Sequence, residues 1–318
     1  MQAIDSRTEV DGSVFKRVLK LMGNRFEISV VAGEEAFADA CIDAAVEEIS
    51  RIERLLTTFN ENSQTCRINE QAGIRAVKVD LEVFELIQRS LKISELTQGA
   101  FDITYGSIDK RLWNFDTSMT ELPDRETARQ AVRLINFRNV ILDEAECSVY
   151  LKEKGMRIGF GGIGKGYAAD RAKMILKQMG VKNGVVNASG DLAAWGVQPG
   201  GKPWTVGIAD PYTKITAFSY LDISNMAVAT SGNYEKYAVI NGKKYSHTLD
   251  PKTGYPVEGI KSVTIITASA ELADAMATPV MVMGIRAGLS LINQMKHISC
   301  IIIDEEDRLY ASRNIKIS

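Results

Sequence analysis

The sequence has few cysteines and no excess of charge of either sign, and each shortage excludes a class of protein. Its four cysteines are widely spaced and form no C-x-x-C pair, which argues against a thiolate zinc site. Lysines and arginines number 38 against 40 acidic residues, for a net charge of −2. With no basic run, the chain offers no field for nucleic acid or for an anionic membrane surface. We therefore expect buried free thiols and no nucleic-acid partner.

Long apolar runs are also missing. No stretch of 18 or more apolar residues occurs, so we expect no membrane span. The first residues, MQAIDSRTEVDGS, are polar and lack the apolar core of a signal peptide. These features predict a cytoplasmic location, unless an export signal has been removed from the chain. What the sequence does contain, 45% hydrophobic and 25% charged residues, is the balance typical of a globular protein.

Hydrophobic periodicity predicts a mixture of helices and strands. Apolar residues on one helical face predict helices over 34–56 and 81–97. Glycines lead into a predicted helix at 165–179, residues 271–283 and 286–295 are also predicted helices, and Asp124 is placed to cap a further helix that ends near 135. The predicted strands cover 24–32, 156–160, the segment NGVVNA, several runs between 204 and 248, 262–268 and 297–304. The polar segment 59–73 is predicted to be a loop. This mixed order predicts an α+β fold rather than a regular βαβ series.

The glycine cluster GFGGIGKGYAAD, at 159–170, is the most informative local feature. It fits the dinucleotide fingerprint G-x-G-x-x-G and also most of a phosphate-binding loop. Both patterns bring backbone N–H groups and the positive end of a helix to phosphate oxygens. Each differs from its standard form, because Gly166 stands where the phosphate loop needs Ser or Thr and the acid of the dinucleotide site is out of place. The cluster predicts either a diphosphate ligand with Lys165 as its cation, or a turn that packs a helix on a strand.

A second candidate lies in the segment AELADAMATPVMVMG, at 270–284. Asp274 and Thr278 are four residues apart, so they share one face of the predicted helix. A carboxylate and a hydroxyl are hard oxygen ligands suited to Mg²⁺. The alternative is that Asp274 caps the start of the helix, and the segment alone favours that alternative.

Three further segments carry polar groups beside turns. His247, one of only two histidines, precedes the turn sequence DPKTGYP, and histidine has the pKa that suits proton transfer near neutrality. A structural histidine is the alternative there. Small residues and an acid end the segment Asn187-Ala-Ser-Gly-Asp191, and Gly99-Ala-Phe-Asp102 has a similar character. Both allow close approach of backbone to a ligand, and a tight turn explains them equally well.

Taken in order, these segments resemble the ApbE family of FAD:protein FMN transferases, from about residue 22 to about residue 310. The resemblance is carried by Met22-Gly23, Phe59 to Asn69, Gly99 to Asp102, Gly161 to Asp170, Asn187 to Asp191, Ala229 to Tyr234, Ser246 to Pro256 and Ala273 to Thr278. Departures from the family pattern are Asn24, Cys66, Gly164, Ser189 and Thr248, together with Gly159 where the family often has an FAD-contacting Asp.

The resemblance implies roles for individual residues. The magnesium ligands would be the backbone carbonyl of Gly162 and the side chains of Asp274 and Thr278, a role that replaces capping for Asp274. The FAD contacts would come from Met22, Phe59, Ala100, Phe101, Asp102, Lys165, Asp191 and His247. Among these, Phe59 would stack on the flavin, Lys165 would add positive charge, and His247 is the candidate base or orienting group.

The resemblance also implies a fold and a reaction. The expected fold is α+β and ApbE-like, a single unit of two intimately packed α/β halves with the flavin site in the cleft between them. The expected domain covers 22–318, with 1–21 as an N-terminal extension. The expected activity is Mg²⁺-dependent cleavage of FAD, with FMN attached by a phosphoester to an acceptor flavoprotein that carries a Ser/Thr-Gly-Ala/Ser-Thr motif. FAD hydrolysis to FMN and AMP and non-catalytic flavin binding are the alternatives, and the oligomeric state is left open.

Overall fold

Helices and strands alternate irregularly along the chain, whose computed structural model describes residues 12–109, 119–209, 217–233 and 237–315. The helices are α1 Glu35–Leu56, α2 Gln64–Glu70, α3 Leu81–Leu96, α4 Arg125–Val132, α5 Gly164–Gln178 and α6 Ala270–Ile292. The strands are β1 Ser13–Leu21, β2 Asn24–Ala32, β3 Val77–Lys78, β4 Val140–Asp143, β5 Ser148–Leu151, β6 Gly184–Ala188, β7 Asp191–Trp195, β8 Trp204–Ala209, β9 Ala217–Ile223, β10 Ala227–Gly232, β11 Tyr237–Ile240, β12 Lys243–Ser246, β13 Ile260–Thr267, β14 Ile298–Asp304 and β15 Leu309–Ala311. Short 3₁₀ turns cover Ile103–Ser107 and Phe137–Asn139.

The chain divides into two compact units, each built from separate stretches of sequence. The first unit comprises Met1–Ile52, Lys165–Ala229 and Ile266–Ala273. The second comprises Glu53–Gly164, Thr230–Ile265 and Asp274–Ser318. The boundaries fall next to the predicted site segments, so Lys165 and Asp191 belong to the first unit and Gly162, Asp274 and Thr278 to the second.

The first unit contains an antiparallel sheet in the order β1, β2, β6, β7 and the start of β10. Strand β1 lies within the predicted N-terminal extension, and it pairs with β2 over its whole length, from Ser13 opposite Ala32 to Leu21 opposite Asn24. This strand was not predicted from the sequence. Lysines and arginines interrupt its apolar alternation, as is common in edge strands.

Helices α1 and α5 of the first unit are joined by a partly buried charge. The side chain of Glu48, about 10% exposed, accepts hydrogen bonds from Arg51 at 2.8 Å and from Arg171 of α5 at 2.9 Å. The hydrogen bond from Arg51 is the main cause that lowers the pKa of Glu48, and the one from Arg171 adds to it against the effect of burial. This carboxylate therefore links the two helices through charge-assisted bonds.

The second unit contains a three-stranded sheet in the order β3, β5, β4. It also contains sheet strands in which the last residues of β10 are followed by β13, β14 and β15, in that order. The hairpin of β11 and β12 stands apart from both sheets, with Tyr237 opposite Ser246. The hairpin contributes Ala238 and Ile240 to a core cluster that also includes Leu249. His247 is the first residue after this hairpin.

Most predicted elements are confirmed, including the strand at 24–32 and the helices at 34–56, 81–97 and 165–179. The predicted loop 59–73 is wrong in part, because it contains α2, which Ser63 caps by accepting from the Cys66 amide at 3.0 Å. The expectation of free, buried thiols is confirmed for Cys41, Cys66 and Cys300, whereas Cys147 is partly exposed.

The predicted strand 156–160 is wrong, and the reason is local. Side chains, rather than a neighbouring strand, bond the backbone at Arg157 and Ile158. The side-chain amide of Asn69 donates to the Ile158 carbonyl and accepts from the Ile158 N–H, and the backbone N–H of Arg157 donates to the Ser107 hydroxyl. Such bonds satisfy the backbone groups as a sheet would. The segment is therefore an irregular connection that leads into the glycine cluster.

Helix α6 is long and apolar enough, by length and composition alone, to cross a membrane. A core helix of a globular protein has the same composition, and Ala273, Ala275 and Met276 are fully buried. Gly284, with φ 80° and ψ 167°, breaks the helix between the two segments that the sequence predicted separately. We therefore describe α6 as a core helix.

Candidate active site

The two predicted magnesium side chains lie on one face of α6. Asp274 is buried at 6% exposure, among buried alanines and Met276. Thr278, one helical turn further on, is partly buried, and its hydroxyl lies 2.9 Å from the hydroxyl of Ser231 in β10. A buried carboxylate and a partly buried hydroxyl thus stand on one face of a helix.

The structure removes the alternative in which Asp274 caps α6. The start of the helix is capped by Ser269, whose hydroxyl accepts from the Leu272 amide at 3.3 Å. Asp170 supports the cap, since its carboxylate accepts from the Ser269 hydroxyl at 2.8 Å and from the Glu271 amide at 3.0 Å. Asp274 lies beyond this first turn, so the capping interpretation is wrong.

The donor chemistry of this face fits a hard cation. In the part of the chain that the structure describes, no three His, Cys, Asp or Glu side chains gather as a metal cluster. Oxygen donors such as the Asp274 carboxylate, a hydroxyl and a backbone carbonyl suit Mg²⁺ rather than zinc or copper. Thr278 supplies such a hydroxyl, and the Gly162 carbonyl is the predicted third donor.

The glycine cluster forms a tight turn before α5. The amides of Ile163 and Gly164 both donate to the carbonyl oxygen of Phe160, at 3.2 and 2.6 Å. A Cβ atom on Gly161 would meet nothing within 4 Å, so that residue faces open space. A Cβ atom on Gly162 would lie 3.4 Å from the ring of Phe101. The structure therefore brings two predicted site segments together within the second unit.

The Gly99–Asp102 segment is held rigidly by protein hydrogen bonds. The Asp102 carboxylate accepts from the Thr104 amide at 2.8 Å, from the Thr104 hydroxyl at 2.6 Å and from the Phe137 amide at 2.9 Å. Burial raises the pKa of Asp102, and these hydrogen bonds oppose the rise. Ala100 and Phe101 are both buried. Asp102 thus organises the local chain, and its contact with FAD stays a prediction.

Phe59 stands apart from the buried site residues because its side chain is 92% exposed. It lies in the connection between α1 and α2. That connection is fixed by the Ser63 hydroxyl, which donates to the Thr57 carbonyl at 2.6 Å. A large aromatic ring at this exposure gains nothing from the protein core and is available to a ligand.

His247 follows the last residue of β12 and is partly buried between buried Ser246 and Thr248. The Ser246 hydroxyl accepts from the Thr248 amide at 3.1 Å. Downstream, the Leu249 amide donates to the hydroxyl of Tyr105 at 3.3 Å, and burial raises the pKa of Tyr105 to about 12. These bonds fix the backbone on the C-terminal side of the imidazole.

The turn after His247 is locked by its glycine. The amide of Gly254 donates to the carbonyl of Asp250 at 2.8 Å, and Gly254 has a φ of 72°. A Cβ atom at this position would lie 2.4 Å from the carbonyl oxygen of Ala128 in α4. Only glycine fits both the backbone conformation and this close approach.

The first unit holds three other predicted residues. Lys165, in the first turn of α5, forms an ion pair with Asp191 at the start of β7, and the Asp191 side chain is only 5% exposed. Asp191 directly follows the tight turn between β6 and β7, in which Asn187 accepts from the Gly190 amide at 2.8 Å. Met22 has a φ of 49° in the two-residue turn between β1 and β2. Their contacts with FAD stay predictions.

Sequence reasoning missed Ser231, Ser269 and Asp170 as supports of the site. Ser231 and Asp170 lie inside segments that carried the resemblance, and Ser269 stands directly before α6. The position of Ser269 is the usual one for a capping residue, and that signal was available. Tyr234, the last residue of the segment from Ala229, lies outside the described residues.

Comparisons with known proteins identify the family and the fold of the chain. A sequence profile described as the ApbE family matches residues 22–302. The chain belongs to the ApbE family. It is 33% identical to the FAD:protein FMN transferase of Klebsiella pneumoniae (strain 342) over 295 residues, which cover 92% of this chain and 90% of that protein.

Solved ApbE structures share the fold. The ApbE protein of Thermotoga maritima matches with a TM-score of 0.86 and 32% identity, over 95% of this chain and 97% of that one. The apo form of the flavinyl transferase ApbE of Pseudomonas stutzeri matches with a TM-score of 0.83 and 26% identity, over 95% of both chains. The predicted α+β, ApbE-like fold is confirmed.

Proposed function

We propose that this chain is a FAD:protein FMN transferase, which cleaves FAD and joins FMN to a serine or threonine of an acceptor protein. Near full-length similarity to the Klebsiella protein of that name supports the reaction class. The observation that carries the proposal within the molecule is the pair of oxygen donors, Asp274 and Thr278, on the buried face of a capped helix. A non-catalytic flavin carrier would not need such a pair.

Magnesium is the cation that these donors fit. Asp274, Thr278 and the Gly162 carbonyl would hold it, and the bound cation would neutralise negative charge on the FAD diphosphate. The protein's own side chains contact the flavin and add positive charge. Phe59 offers its exposed ring to the flavin, and Lys165 adds positive charge at the start of α5, where the helix dipole also favours an anion.

The transfer step balances as a phosphoryl displacement. The hydroxyl oxygen of the acceptor serine or threonine attacks the phosphorus on the FMN side of FAD and forms a phosphoester bond. The bond from that phosphorus to the bridging oxygen breaks, and AMP leaves with this oxygen. His247 accepts the proton that the hydroxyl loses, or orients the hydroxyl for its attack. The acceptor is expected to carry the motif Ser/Thr-Gly-Ala/Ser-Thr.

Hydrolysis of FAD to FMN and AMP is the closest alternative, with water in place of the acceptor hydroxyl. Both reactions use the same donors, so a direct assay separates them. The full chain is incubated with FAD, Mg²⁺ and a peptide with the sequence Thr-Gly-Ala-Thr at its centre, and a peptide with Val in place of both Thr residues is the control. Flavin fluorescence that stays on the first peptide through denaturing gel electrophoresis supports transfer. FMN release with no labelled peptide refutes transfer and supports hydrolysis.

A further inference from the structure

The end of strand β10 contacts α6 through one hydroxyl pair. The Ser231 and Thr278 hydroxyl oxygens lie 2.9 Å apart, and both residues belong to the second unit. The preceding residue makes a similar pair on another element, since the hydroxyls of Thr230 and Thr264 in β13 also lie 2.9 Å apart. Successive side chains of a strand point to opposite faces. Only the Ser231 pair reaches the helix that carries Asp274.

A threonine hydroxyl in a helix has a competing partner. It often donates to the carbonyl four residues earlier, which for Thr278 is the carbonyl of Asp274. When the threonine donates instead to a group outside the helix, its hydroxyl proton points away from that carbonyl. The 2.9 Å contact with Ser231 is a bond of this kind when Thr278 is its donor.

The direction of the hydrogen bond matters for a hydroxyl that binds a cation. Such a hydroxyl uses an oxygen lone pair for the cation, so its proton must go to a separate acceptor. If Ser231 accepts this proton, both lone pairs of the Thr278 oxygen stay free for coordination. A cation on that oxygen strengthens the O–H donor and so favours the same direction.

We propose that Ser231 is a positioning residue for the magnesium site: it accepts the proton of the Thr278 hydroxyl and directs that oxygen's lone pairs to the cation. The inference rests on the proposed function, because it takes Thr278 to be a magnesium ligand. In this role Ser231 acts on the cation through Thr278. Groups that orient metal ligands in this way typically change metal affinity by 10- to 100-fold.

The chain offers a matched control for a merely structural effect. Thr230→Val removes a hydroxyl bond of the same 2.9 Å length, from the neighbouring residue of the same strand. Its partner Thr264 is buried at 1% exposure, so this loss disturbs the sheet at least as much as Ser231→Ala does. A difference between the two variants therefore reports the link to α6.

The test is isothermal titration of MgCl₂ into the full-length wild-type protein and into Ser231→Ala, Thr230→Val and Asp274→Asn, each checked by thermal melting. We expect Ser231→Ala to raise the Kd for Mg²⁺ by about tenfold or more, Thr230→Val to change it less than twofold, and Asp274→Asn to abolish binding. Equal affinities for Ser231→Ala and Thr230→Val, with binding lost in Asp274→Asn, overturn the role of Ser231 and leave the proposed function standing. Binding that survives in Asp274→Asn overturns the proposed magnesium site and this inference with it.

Discussion

Replacing Phe59 with alanine separates ligand binding from folding, because its side chain lies outside the protein core. The ring is 92% exposed, so its loss removes almost no buried area from the protein. Exposed substitutions of this kind change the free energy of unfolding by less than about 0.5 kcal/mol. If the flavin stacks on this ring, the same substitution removes a contact that forms only in the complex.

The size of the effect follows from area. A phenylalanine side chain offers roughly 150–200 Å², and a planar ring stacked on one face covers about half of it. At about 25 cal/mol per Å², that burial contributes about 2 kcal/mol, within the range of about 1–3 kcal/mol known for bases stacked on aromatic side chains. Phe59→Ala should therefore raise the Kd for FAD by about 30-fold.

Quenching of FAD fluorescence on titration with protein measures this Kd directly, and a thermal melt of each variant measures folding. Phe59→Trp keeps an aromatic face and should bind within about threefold of the wild-type protein. Ile74→Ala is the control for loss of an exposed apolar side chain, since Ile74 is 64% exposed. Wild-type FAD affinity in Phe59→Ala would refute the stacking role.

Three further outcomes follow from the structure. His247→Ala should keep FAD binding but slow transfer at least tenfold, measured as the rate of AMP release with a saturating acceptor peptide; an unchanged rate removes His247 from the mechanism. The hydrogen bond from Arg51 lowers the pKa of Glu48, so its carboxylate stabilises the fold above the ordinary Glu pKa of about 4.3, and this stability is lost as pH falls through the lowered value. Melting curves of Glu48→Gln should thus lie about 2–4 °C below wild type at pH 7 and converge with it in acid; a gap that persists there contradicts the linkage. Gly254→Ala places Cβ 2.4 Å from a backbone oxygen of α4 and should cost more than about 2 kcal/mol in urea unfolding. Its control, Gly242→Ala, has a similar φ of 77° but open space, so equal losses would show that the contact is irrelevant.

Sequence periodicity predicted the elements that bury one continuous face. The helices at 34–56 and 81–97 carry apolar residues at helical spacing, and the structure has them within a residue or two. The segment 156–160 shows where such reasoning ends. Its apolar residues suit a strand, but the partner that satisfies Ile158 is the side chain of Asn69, 89 residues earlier. A contact between such distant residues leaves no periodic signal.

The candidate site also combines features that the sequence predicts with contacts that it does not. The four-residue spacing of Asp274 and Thr278 was enough to place them on one helical face, and the structure has both on α6. The spacing alone could not choose between capping and metal binding. The capping residue Ser269 stands directly before α6, whereas its support from Asp170 comes from another part of the chain. The pairing of Thr278 with Ser231 was equally invisible, since it joins a strand to a helix across 47 residues.

The central claim is that FMN transfer depends on a cation held by Asp274 and Thr278. The most direct test is mass spectrometry of the Thr-Gly-Ala-Thr peptide after incubation with FAD and increasing MgCl₂, in parallel for the wild-type protein and Asp274→Asn. The account predicts peptide that gains the mass of FMN less water, in proportion to bound Mg²⁺ for the wild type and not at all for Asp274→Asn. Equal labelling by both proteins, or labelling that persists in EDTA, would contradict it.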